Sequence, residues 1–273
     1  MTWALKSLAA AAAFVAAGSA SAYSFTLEAG PSRFGSGYQI ELDGLSGSGS
    51  LDFSPVLIGS LNAVKIGVTG VAPATAAVTY KTHSATKVVS IATASVAAPV
   101  QSLTLDEYTT GITLQKVNTV GGVTLTAAKA NVATTGGFLE ISKLSVDLST
   151  KKVFATLNGG NGIGLLNNVE LWDVATITGP TSFDNASLPF YPGESLTFTN
   201  TFSGLKINEN AFNIFAVSLG LNTNGKLSLR TVTDFGTITS TMTLGVPEPT
   251  TYALMGIGLL AVNLAVRRRR AKQ

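Results

Sequence analysis

Apolar and β-branched residues recur along this chain in short runs, many of them alternating with polar positions. Such runs occupy residues 38–42, 64–68, 77–80, 87–91, 112–117, 123–126, 138–148, 153–157, 169–177, 196–202 and 227–244. Clusters of Gly, Asn, Ser and Pro separate them at intervals of roughly 8–12 residues, the rhythm of strands in a sandwich or barrel. The pattern predicts an all-β, antiparallel domain of β-sandwich or jelly-roll type. Residues 139–157 read as a hairpin. Leu144, Val146 and Leu148 alternate with polar neighbours, Ser149-Thr150-Lys151 can turn, and Val153, Ala155 and Leu157 resume the alternation. The loop that follows, Asn158-Gly159-Gly160-Asn161-Gly162, is rich in residues that tolerate positive φ.

One helix is predicted in this β background. Asn208 can cap a run in which Ala211, Phe212, Phe215 and Leu219 share a face. Residues 70–77 and 92–100 contain Ala and Pro and little charge, which reads as linker and allows a sub-boundary near residue 100. A single domain over residues 23–245 is the simpler organisation. No clean internal repeat argues for a solenoid or propeller.

The two ends follow other patterns. Lys6 precedes an unbroken apolar run at residues 8–17, and Ala20-Ser21-Ala22 forms an A-x-A site whose small side chains suit a signal peptidase. Residues 1–22 therefore read as a signal helix to be removed, leaving Tyr23 first in the mature chain. At the other end, Pro247-Glu248-Pro249 resists helix and strand pairing, so the segment should be extended and accessible. An apolar run at residues 252–266 follows, then Arg267, Arg268, Arg269 and Arg270. As a helix the run spans about 22 Å, short of the ~30 Å hydrocarbon core, and arginine stems can reach part of the difference. The four charges would hold that end cytoplasmic. Gly256, Gly258 and Asn263 weaken it as a permanent anchor, so it reads as a stop-transfer element.

In that order, Pro-Glu-Pro motif, short transmembrane segment and arginine-rich end, residues 246–273 resemble the PEP-CTERM sorting domain. The resemblance implies delivery rather than activity. The tail would be recognised and cleaved by an exosortase, a membrane-embedded transpeptidase, after passage through the general secretion machinery and signal peptidase. The resemblance also implies a Gram-negative host that makes extracellular polysaccharide, itself a candidate partner. Pro247, Glu248 and Pro249 match the motif, and the arginines match the basic end.

Charge changes the picture once the ends are set apart. The chain carries +3 overall, yet Lys6, Arg267 to Arg270 and Lys272 are six of its 18 basic residues, while 14 of its 15 acids lie between the two ends. The middle is near −2, which removes the concentrated basic face a nucleic-acid-binding protein needs. Charged residues make up only 12% of the chain, about half the ~25% usual for globular domains. Cysteine is absent, so disulfides and thiolate chemistry are excluded.

Candidate chemistry is sparse. His83 is the single histidine, which excludes a His-pair metal site and leaves one residue as any triad base. Ser84-Ala85-Thr86-Lys87 and Ser149-Thr150-Lys151-Lys152 fit S-x-x-K, but without the S-D-N and K-T-G companions and in strand-and-turn sequence. Glu170 and Asp173 flank Trp172, the one tryptophan beyond the leader, a set that suits glycoside hydrolysis or sugar stacking. The competing reading makes Trp172 a core anchor. Asp43 and Asp52, either side of a Gly/Ser run, offer oxygen ligands for calcium without EF-hand spacing, and that run reads as a flexible loop. Gly160-Asn161-Gly162-Ile163-Gly164 lacks the phosphate fingerprint, and Asn185-Ala186-Ser187 fits a glycosylation triplet. No cofactor is implied. The reading that results is an exported, sorted surface or matrix-associated protein without evident catalysis. The alternatives are a secreted glycan-acting hydrolase using Glu170 and Asp173, or a carbohydrate-binding module with Trp172 as its platform.

Overall fold

A computed structural model of the protein describes residues 22–35, 41–129, 132–188 and 193–245. The leader before Ala22 and the tail after Gly245 lie outside the described residues, as does most of the run at 38–42. The strands are β1 (Tyr23–Glu28), β2 (Gly30–Gly35), β3 (Glu41–Phe53), β4 (Ile66–Val71), β5 (Thr75–Thr82), β6 (Val89–Tyr108) and β7 (Gly111–Thr119). Then come β8 (Gly122–Ala127), β9 (Gly137–Asp147), β10 (Lys152–Gly159), β11 (Gly164–Thr178), β12 (Ser182–Asp184), β13 (Ser195–Ile207) and β14 (Gly236–Gly245). Among the described residues, helices α1 (Pro55–Val64), α2 (Glu209–Ser218) and α3 (Thr223–Arg230) interrupt them.

All the pairings between these strands are antiparallel, and they close on themselves. The order β7-β6-β3-β14-β13-β11-β10-β9 returns to β7 through Lys116–Asp147, Val117–Val146 and Asn118–Ser145. The expected antiparallel all-β domain is therefore present, but its layers belong to one hydrogen-bonded sheet rather than to two separate ones. Long strands that change partner midway make this possible. β6 pairs with β5 through Ala97 and with β7 from Val100 onward, and with β3 and then β1 along its other edge. Pro99 sits at the handover, where a residue without an N–H leaves the ladder least disturbed.

Alternation decides which face is inside. In β14, Ile238, Ser240, Met242 and Leu244 are buried while the threonines between them are half-exposed. The same register carries outward hydroxyls across β13, with Thr197 hydrogen-bonded to Thr243 (2.8 Å) and Thr199 to Thr241 (2.9 Å). On these two strands the apolar side faces inward and the hydroxyls outward, the reverse of a lipid-facing strand. Among the described residues, no helix is long and apolar enough to cross a membrane. The predicted spanning segment at 252–266 lies outside them.

The predicted hairpin is β9–β10, joined at Asp147 and Lys152 with the turn between them. The predicted helix is α2. Asn208 Oδ1 accepts the Ala211 N–H (2.7 Å), and Ala211, Phe212, Phe215 and Leu219 are all buried.

Four expectations need correction. Residues 92–100, read as linker, lie inside β6. Alternation explains it, since Ala94, Val96, Ala98 and Val100 point inward. The Gly/Ser run between Asp43 and Asp52, read as a loop, is the middle of β3, flanked by β14 and β6. At Gly47 the strands approach closely enough to require glycine: a Cβ there would lie 2.5 Å from the Thr241 carbonyl. The run at 64–68 is split, with Val64 closing α1 and β4 beginning at Ile66. The run at 227–244 is split likewise, because Asn222 accepts from the N–H groups of Asn224 (3.0 Å) and Gly225 (3.2 Å) and starts α3, while β14 begins only at Gly236.

Candidate functional site

The Glu170, Trp172 and Asp173 cluster lies where β10 and β11 meet the start of α2. A bulge in β11 places Val153 opposite Trp172 but Phe154 opposite Glu170. Leu171 is thus unpaired in the register, and both Leu171 and Trp172 are buried. Trp172 is 2% exposed, with its ring tilted 5.9 Å from that of Phe235, which in turn meets Phe215 edge-on at 6.3 Å. The sugar-platform expectation for Trp172 is therefore corrected, since no sugar ring can reach it. The residue is a core anchor. With Leu57, Leu61, Phe215 and Phe235 it lines an apolar cavity of about 60 Å³ under the helices. Among the described residues its Nε1 has no hydrogen-bond partner. The cavity lining is almost entirely apolar and offers a water few polar partners.

The two carboxylates turn to the surface and meet one cation. Lys152 Nζ donates to Glu170 Oε1 at 2.7 Å and lies 3.9 Å from Asp173 Oδ1. The hydrogen bond to Glu170 holds the Lys152 ammonium above its ordinary range, against the opposing effect of desolvation and with help from the charges of Glu170 and Asp173. Asn208 Nδ2 donates to the Glu170 carbonyl (2.7 Å), so the same residue that caps α2 fixes the bulge. The arrangement clamps helix α2 to strand β11. The two carboxylates flank one cation rather than facing each other across a cleft, the arrangement glycoside hydrolysis uses.

Beside it, a surface groove of about 370 Å³ runs between the end of β13 and helices α2 and α3. Arg230 lies 4.2 Å over the Phe212 ring and pairs with Glu209 at 2.8 Å. Sequence reading missed this groove, because its walls are contributed by residues 206–212 and 229–233, which no local pattern links.

The other candidates disperse. His83 is exposed in the β5–β6 turn, its Nδ1 accepting from the Thr86 N–H (3.4 Å). Ser84 and Lys87 share that turn, off any helix. In the second S-x-x-K match, Ser149 Oγ donates to Asp147 Oδ1 (2.7 Å) while Lys152 serves Glu170. Nine positions of β3 separate Asp43 from Asp52, roughly 30 Å of extended strand, so they cannot share a cation. Among the described residues, no three acidic or histidine side chains converge on a metal-sized space. Asn185 starts a single 3₁₀ turn and donates its Nδ2 to the Thr109 carbonyl (3.0 Å). In the loop after β10, Asn161 takes φ 54°, and its Nδ2 donates to the carbonyls of Gly136 (3.0 Å), Val217 (3.1 Å) and Ser218 (3.1 Å). This loop closes the C-terminal end of α2 rather than cradling a ligand.

Of the sorting and cleavage residues, Ala22 and Tyr23 are described, and Tyr23 opens β1. Ala20, Pro247, Glu248, Pro249 and Arg267 to Arg270 lie outside the described residues. Strand β14, paired on both edges by β13 and β3, ends at Gly245, two residues before the Pro-Glu-Pro triplet. Residues 245–270 match the model of the PEP-CTERM protein-sorting motif. No curated protein and no solved structure matches the chain. The sorting motif implies an exosortase-targeted protein, exported, held at the membrane for processing, and destined for the cell surface or exterior.

Proposed function

We propose that this is a non-catalytic surface or matrix-associated protein: a β domain exported behind a signal peptide cut after Ala22, then released from its tail by an exosortase. The observation that carries the reading is the sorting motif placed directly after the last strand of the fold. Two features support the absence of catalysis. The acids nearest to a hydrolase arrangement, Glu170 and Asp173, are both engaged by Lys152. Where β13 and β14 pair, over Ser195–Ser203 and Thr237–Gly245, the outward face is uncharged and hydroxyl-bearing, suited to a hydrated neutral polysaccharide more than to a charged substrate. The signal peptidase, the secretion machinery and the exosortase are the processing partners in this reading, and extracellular polysaccharide is the surrounding material.

Mass spectrometry of the terminal peptides, on protein taken from the surface and medium of the native host, tests it. A chain ending near Pro247 to Pro249, without the apolar run and the arginines, is the expected result. An intact tail to Gln273 on all of the protein would overturn the matrix role. Turnover of a glycan by the purified protein, lost in Glu170→Gln, would favour the hydrolase instead.

A further inference from the structure

The most anomalous group in the fold is Glu107. It sits in β6 with 0% exposure, and neither carboxylate oxygen has a hydrogen-bond partner among the described residues. An unpaired carboxylate in such a place is among the least favourable groups a core can hold. Its strand neighbours Asp106 and Tyr108 belong to the opposite, outward face, and its partner across β7 is Ile112. No lysine, arginine or histidine stands at the register positions facing it. Its partner on the other side is Tyr23.

We propose that Glu107 is the acceptor site for the α-ammonium group of Tyr23, created when the leader is cut off, so that export completes the fold. The pairing rests on cleavage between Ala22 and Tyr23. Hydrolysis there puts the hydroxyl of water on the Ala22 carbonyl carbon and a hydrogen on the Tyr23 nitrogen, which gains a further proton at neutral pH.

The geometry places that nitrogen beside Glu107. Ala29 N–H donates to the Gln101 carbonyl at 2.7 Å, and in an antiparallel ladder every second pair is of the same hydrogen-bonded kind. Counting back along the register, Tyr23 and Glu107 form such a pair, with Cα atoms about 5.5 Å apart. Before cleavage, the Tyr23 nitrogen has one hydrogen, already directed to the ladder. After cleavage it has three, so two remain for the carboxylate, and the freed terminus can turn inward. The strand is held in place for this by its own side chains. Phe25 and Leu27 are buried, and the Tyr23 ring stacks on Phe25 with centroids 6.4 Å apart.

The test uses the full-length precursor exported and processed in a Gram-negative host, alongside Glu107→Gln, a variant with Gly-Ser inserted between Ala22 and Tyr23, and the combination. Intact mass reads the N-terminus first, and Tyr23 is the expected first residue of the unmodified protein. A different first residue would overturn the cleavage reading and the pairing with it. With Tyr23 first, acylation of the α-amine near pH 7.5 should run about tenfold slower than in the extended variant, as expected for an amine engaged by the Glu107 side chain. The extension and Glu107→Gln should each lower Tm by about 3–8 °C, and the double variant by no more than the larger of the two. Equal acylation rates, or a Glu107→Gln protein at least as stable as the parent, would overturn the pairing while leaving the cleavage site standing.

Discussion

Asn62, on helix α1, completes the backbone hydrogen bonding of Ile91, on strand β6. Its Nδ2 donates to the Ile91 carbonyl at 2.9 Å, and its Oδ1 accepts the Ile91 N–H at 2.8 Å. Strand β3 reaches β6 only from Ser95 onward. The amide side chain therefore takes the position a neighbouring strand would occupy, and docks α1 where the ladder stops. Asn62→Ala leaves both groups of Ile91 unpaired and should cost about 2–4 kcal/mol. Asn62→Asp keeps the acceptor but loses the donor. Denaturant midpoints at unchanged slope would measure the two, with the alanine variant the less stable.

Two glycines of β3 should respond in opposite ways to the same substitution. A Cβ on Gly47 meets the Thr241 carbonyl at 2.5 Å and the Met242 Cα at 3.1 Å, both backbone atoms of a paired strand. Gly47→Ala must separate β3 from β14 and should cost about 2 kcal/mol or more. On Gly49 the nearest atom is Thr119 Cγ2 at 3.4 Å, an ordinary contact. Gly49→Ala should be neutral or stabilising by up to about 1 kcal/mol, since it also stiffens the unfolded chain. Thermal unfolding of the pair checks the contrast.

The burial of Trp172 is open to direct optical test, because it is the one tryptophan after the leader. Emission from the processed protein should be blue-shifted and resistant to iodide, and sugars should leave it unchanged. Trp172→Ala should cost about 3–5 kcal/mol through the enlarged cavity. Red-shifted, quenchable emission would contradict the core position.

Asp147 should make stability depend on acid pH. Burial raises its carboxyl. The Thr150 N–H (2.9 Å), the Ser149 hydroxyl (2.7 Å) and Lys116 at 4.0 Å outweigh that and hold it below its ordinary range. A carboxyl depressed in the folded state contributes stability above its unfolded value of about 3.9, and that contribution is lost as pH falls through the folded value. Asp147→Asn should therefore be less stable than the parent at pH 6, by under about 1 kcal/mol given the partly solvated site. The difference should disappear as pH falls below 3.9 toward 2. A difference independent of pH would point to the turn hydrogen bonds alone.

The local features of this fold are written in local sequence. Alternation marks β9, β10, β13 and β14, because a half-buried strand must place every second residue inside. Asn208 and the spacing of Ala211, Phe212, Phe215 and Leu219 mark α2. Helix α1 was equally marked, by Ser54 accepting from the Leu57 N–H (3.0 Å), Pro55 in the first turn, and Leu57, Ile58, Leu61 and Val64 on one side. The sorting motif is legible for the same reason: its enzyme reads a short linear segment, so order along the chain is the whole signal.

What only the tertiary structure decided are the relationships between distant segments. That Gly47 faces Thr241, that Lys152 sits between Glu170 and Asp173, and that Glu107 lies opposite Tyr23 all depend on strand register. Register is set by how the apolar faces of many strands fit together at once. No single segment carries it. Likewise Trp172 between two acids is the same four-residue stretch whether it lies on a surface or, as here, beneath a bulge. The bulge and the helices packed over it, rather than the neighbours in sequence, determine which side of the sheet the ring enters.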